Sequence, residues 1–118
     1  MSSHQIIDER SYEMHQVIVR ILRADPAKLS LVLEQMDLRL ADPNYSDSLK
    51  DCLREWREIL ISGIDRVFLT LEDRSEEGKR LRQNSPFAIL MPQDERMEIL
   101  RRYRRNEPVR VGTHPAGV

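Results

Sequence analysis

The chain has 118 residues, with 19 Lys+Arg against 20 Asp+Glu for a formal net charge of −1; 40% of it is hydrophobic and 5% aromatic. That length fits one domain, and four glycines with six prolines are too few for collagen or a turn-rich all-β chain. The apolar runs are too short to span a bilayer, and a lone cysteine excludes an internal disulfide and any cysteine-based zinc cage within one chain.

In chain order, residues 8–24 read as a helix, because Met14, Val17, Ile18, Ile21 and Leu22 recur at helical spacing. Asp25-Pro26 marks a stop and a start, since Asp25 suits a cap and Pro26 a first turn. A second helix is expected over 26–41, with a stripe of Leu29, Val32, Leu33, Met36 and Leu40. Leu31 and Leu38 lie off that stripe, which suggests a helix sandwiched between neighbours or set at an oligomer contact. After the turn Asp42-Pro43-Asn44, a third helix is expected over 47–60, capped by Ser46 or Asp47. It places Leu49, Cys52, Leu53, Trp56, Ile59 and Leu60 on one face. Cys52 reads there as a small buried hydrophobe.

Ser62-Gly63 ends that helix, and Ile64, Val67, Phe68 and Leu71 suggest a shorter one over 64–72. The stretch 67–71 has strand propensity as well, but no partner strand is visible. Ser75 with Glu76 and Glu77 marks a fifth helix start, since acids favour the positive end of the helix dipole, and Asn84-Ser85-Pro86 breaks it. Phe87 to Met91 then form an apolar connection expected to tuck onto the core. Pro92 opens a last helix to residue 105, with Met97, Leu100 and Tyr103 on its buried side and Ile99 flanking. Residues 106–118 lack any period and read as a flexible tail. The expected fold is all-α: one domain over 1–105, with five or six short helices in a compact bundle-like or orthogonal array. The beginning of the chain lacks the apolar core of a secretory signal, so the cytoplasm is the expected compartment, without membrane attachment.

Charge is uneven along the chain. Residues 1–73 carry 9 basic and 14 acidic side chains, and residues 74–118 carry 10 basic and 6 acidic ones. The late arginines read either as complements to a helix C-terminus or as a contact patch for carboxylate or phosphate, which arginine grips bidentately. A sequence pI near 6.3 is unlike the basic domains that bind nucleic acid.

Catalytic patterns are sparse. His4, His15 and His114 are far apart, and His15 falls at the boundary of its helix face, where it reads as a surface or boundary residue. No metal-ligand spacing or glycine-rich phosphate loop appears. Glu76-Glu77 and Asp94-Glu95 sit at helix starts, where acids are expected for dipole reasons. A helix-turn-helix about Ser62-Gly63 would offer only Arg66 near the recognition-helix start, and the richer piece from Glu76 to Asn84, with Lys79, Arg80, Arg82, Gln83 and Asn84, starts with two acids that would face phosphate unfavourably.

The run Leu81-Arg82-Gln83-Asn84-Ser85-Pro86-Phe87-Ala88, taken with Leu53-Arg54-Glu55-Trp56 before it and with Glu95-Arg96 and Ile99-Leu100-Arg101 after it, resembles a group of short uncharacterised bacterial helical proteins. Their pattern carries glycine where this chain has Ile89. The resemblance implies a small accessory or antitoxin-like component and no catalytic residue. Read physically, the run is a structural corner in which polar side chains bond a helix end, Pro86 sets the exit direction and Phe87 plugs into the core. The alternative is a recognition loop anchored by Phe87.

The function expected from sequence is therefore a non-catalytic protein-interaction or regulatory module without cofactor or metal, binding a protein partner or a second copy of itself. Its candidate partner-binding residues are Arg82, Gln83, Asn84, Ser85, Phe87, Arg101, Arg102 and Arg105. A DNA-binding transcriptional regulator is the alternative.

Overall fold

The start of the chain shows how local hydrogen bonding sets an element's limit. In a computed structural model, which describes residues 2–106 with side chains through residue 104, α1 spans Ser3–Ala24. It begins before the apolar period does, because Ser2 and Gln5 form a reciprocal capping box. The Ser2 hydroxyl accepts from the Gln5 N–H at 3.2 Å, and the Gln5 side chain accepts from the Ser2 N–H at 2.8 Å. Pro26–Lys28 is a separate 3₁₀ turn, and α2 follows over Leu29–Ala41.

Ser46 and Ser75 cap α3 (Asp47–Ile61) and α5 (Glu76–Gln83) through their hydroxyls. Between these helices α4 covers Ile64–Glu72, entered through Gly63 at φ 117°. That left-handed backbone is strained for any side chain. A second 3₁₀ turn, Phe87–Leu90, leads to α6, Gln93–Asn106. Among the described residues there are six α-helices and no strand, so the stretch 67–71 is helix. The expected tail, apart from Asn106, lies outside the described residues. No helix among them is long and apolar enough to cross a membrane.

The helices form a layered array in which α1 packs against α4, α5 and α6, while α2 packs against α3 and α3 against α4. The core between them holds Leu22, Val32, Met36, Trp56, Val67, Leu71 and Phe87, all essentially fully buried. Trp56 and Phe87 meet edge to face, with ring centroids 5.2 Å apart and planes at 87°. Such a pair adds about 1 kcal/mol beyond the area it buries. The indole N–H donates to the Leu81 carbonyl at 2.9 Å, which ties α3 to the last turns of α5.

Four helices differ in part from the periodic reading. In α1 the buried set is Ile6, His15, Ile18, Val19 and Leu22, because neighbours on more than one side widen the covered stripe. In α6 Ile99 is the buried residue and Met97 is 39% exposed. Its rotation is held by two anchors on α1: Arg20 grips Glu95 at 2.5 Å, and Glu13 receives Arg102 and Tyr103. In α2, Leu31 and Leu38 are exposed rather than sandwiched. On α3, Cys52 is half-buried and Leu49 exposed.

The corner between α4 and α5 is closed by two devices. Gly78 is buried, and a Cβ there would lie 2.1 Å from the Asp73 carbonyl oxygen, so only glycine lets α5 lie this close. Arg82, 5% exposed, reaches back to donate to the carbonyls of Leu71, at 3.3 Å, and Asp73. Its guanidinium also sits 5.1 Å from the centre of the Tyr12 ring on α1, the geometry of a cation–π contact. Burial pushes the Arg82 pKa down from its ordinary value.

Candidate functional site

The corner that ends α5 places a groove of about 350 Å³ against α1. Met14 and Ile18, one helical turn apart, form one wall. Phe87, Ala88 and Met91, from the 3₁₀ turn and its exit, form the other. Gln93 and Arg96 on the opening turns of α6 and the pair His15 and Ser85 complete the lining.

His15 and Ser85 are the polar link across this groove. His15 Nε2 lies 2.6 Å from the Ser85 hydroxyl, and Nδ1 lies 2.7 Å from the Ser11 carbonyl oxygen, one helical turn earlier. A carbonyl only accepts, so Nδ1 carries the proton and Nε2 accepts from the serine. The expected boundary position of His15 is thus corrected: the ring is only 8% exposed. Burial, aided by the nearby charge of Arg82, lowers its pKa to about 4. A serine beside a histidine invites comparison with a nucleophile and its base. So depressed a pKa makes a poor proton acceptor near neutral pH, where an effective base has a pKa close to the working value. The two hydrogen bonds make the pair a bridge between α1 and the α5 exit.

The residues singled out from sequence do not share one surface. Ser85 and Phe87 reach the groove, but Phe87 is 1% exposed and its ring is engaged with Trp56, so it does not project as an anchor. Arg82 is turned inward onto carbonyls. These two side chains follow the corner reading of the run. Gln83 and Asn84 are exposed at the end of α5. Arg101 and Arg102 lie further along α6, where Arg101 pairs with Glu98 at 3.1 Å and Arg102 with Glu13 at 2.6 Å. The side chain of Arg105 lies outside the described residues.

Of the groove's lining, only Ser85 and Phe87 are among the residues expected from sequence; His15 and Arg96 are the ionisable ones outside that set. His15 keeps helical phase with Ile18 and Leu22, a signal that was available. Nothing local distinguishes Arg96 from its neighbours.

A second depression, of about 380 Å³, runs between α1 and α6, and its charges are largely mutually satisfied. Burial raises the Glu13 pKa, but hydrogen bonds from Arg102 and Tyr103 outweigh it and hold the carboxyl below its ordinary range. Burial and the bond to Glu13 push Tyr103 up to about 12. On α5, Lys79 pairs with Glu76 at 3.1 Å, while Arg80 pairs with both Glu55 and Glu77 at 2.6 Å. No group of three or more His, Cys, Asp or Glu side chains among the described residues is arranged to hold a metal.

Comparison of the chain with family models, curated proteins and solved structures finds no match.

Proposed function

We propose that the protein is a non-catalytic interaction module, an antitoxin-like or regulatory subunit that docks a protein partner on the face built by the α5 exit and the start of α6. The observation that carries this reading is the divided character of the 3₁₀ turn. Phe87 is sunk into the core, whereas Ile89, two residues on, is 52% exposed. One end of the turn is thus fixed rigidly while the other offers an apolar side chain to solvent, beside exposed Gln83 and Asn84. Anchored loops of this kind make good contact surfaces, because little conformational freedom remains to be lost on binding.

Size-exclusion chromatography with light scattering, and affinity capture from the source cells with wild type and Ile89→Asp, test the proposal. It expects either a dimer or a stoichiometric captured protein, lost in the variant. A monomer with no stable partner refutes it. The alternative, a DNA-binding regulator, needs free bases on α5. Lys79 and Arg80 are held there by carboxylates, and Arg82 is held by carbonyls. Titration with duplex DNA at low salt tests that reading, because phosphate contacts strengthen as salt is removed.

A further inference from the structure

The groove between α1, the 3₁₀ turn and α6 combines hydrocarbon walls with a single kind of charge. Met14, Ala88 and Met91 supply the accessible apolar surface over the buried Ile18 and Phe87, and among the described residues the only ionised group lining it is Arg96, since burial keeps His15 neutral near pH 7. Arg96 is exposed, and its guanidinium has no ion pair or hydrogen bond among the described residues. The acids nearest to it in sequence are engaged elsewhere: Glu95 is gripped by Arg20, and Glu98 pairs with Arg101. An unpaired cation beside an apolar trough selects an anion attached to hydrocarbon.

We propose that this groove is a binding site for a short aliphatic monocarboxylate. Its chain lies between Met14 on one side and Ala88 and Met91 on the other, and its carboxylate meets the Arg96 guanidinium. One arginine matches one carboxylate, and the volume of about 350 Å³ falls at the small end of the range typical of ligand sites. The groove adjoins the docking face proposed above but does not include Ile89, so Arg96→Gln reads the ligand and Ile89→Asp reads the partner.

The test is titration of the isotope-labelled full chain with octanoate, below its micelle concentration, followed by amide NMR shifts. Saturable shifts are expected at Met14, Ile18, Ala88 and Arg96. Hexanoate, lacking two methylenes, is expected to bind about tenfold more weakly. 1-Octanol, lacking the charge, is expected to bind about fivefold more weakly. Arg96→Gln is expected to abolish the preference for octanoate over octanol, and Ala88→Leu, at an exposed wall position, to displace the chain. Trp56 emission reports that each variant is folded. Shifts that do not saturate, equal binding of octanoate and octanol by wild type, or an unchanged octanoate preference in folded Arg96→Gln overturn the proposal. So does tighter binding of acetyl-Leu-Glu-Leu-amide at the same residues, which assigns the groove to a peptide segment of a partner.

Discussion

His15 makes stability depend on pH in a window where most carboxylates do not titrate. Its pKa is about 4 in the folded chain against an ordinary 6.5, so the unfolded chain binds the proton more readily. The resulting stabilisation is fully present above about pH 6.5, falls as pH drops through that value, and stops falling near pH 4, where the folded imidazole is protonated too. The gap corresponds to about 3 kcal/mol in total, of which about 2 kcal/mol disappears between pH 7 and pH 5. The lowered carboxyl of Glu13 has the same linkage sign: its stabilisation is present above the ordinary value of 4.5 and is lost as pH falls from there through its lower folded pKa, so it contributes little to the change between pH 7 and pH 5.

Urea unfolding followed by Trp56 emission measures the effect, because Trp56 is the one tryptophan and is fully buried. Wild type is expected to weaken by about 2 kcal/mol from pH 7 to pH 5. His15→Gln is expected to be less stable at pH 7, having lost a fitted ring and its two hydrogen bonds, and to show little change over the same interval. Equal pH slopes in the two proteins refute the assignment of the buried neutral imidazole.

Two further predictions concern the α5 corner. Gly78→Ala would raise helix propensity by about 1 kcal/mol, but its Cβ would fall 2.1 Å from the Asp73 carbonyl oxygen. The clash is expected to win, with net destabilisation of at least about 2 kcal/mol by urea unfolding. Phe87→Ala empties a buried site packed on Trp56 and is expected to cost about 3–5 kcal/mol, whereas Ile89→Ala in the same turn is expected to cost under about 1 kcal/mol. Thermal unfolding of the two variants side by side checks the contrast.

Much of the secondary structure was legible because its causes are local. Ser46 and Ser75 announce their helices through capping, Pro26 and Pro86 mark breaks, α4 follows its apolar period, and α5 follows the acids at its start. The capping box of Ser2 and Gln5 was equally local and was overlooked in favour of periodicity. The site was less legible. His15 depends on Ser85, 70 positions away, and the phase of α6 depends on Arg20 and Glu13 of α1. Arg82 was readable as a polar residue at a helix end. Its burial was not, because the carbonyls that satisfy it belong to the turn before its own helix.

By itself, then, the order of residues determined an all-helical chain and most helix limits, since capping and apolar spacing act over a few residues. Only the packed structure decided which polar groups were buried, which arginines were paired, and that a groove beside Phe87 holds Arg96 unpaired among the described residues. Burial and charge pairing are properties of groups brought together from distant parts of the chain. The desolvation that lowers the pKa of His15 exists only once α1 has docked against the exit of α5.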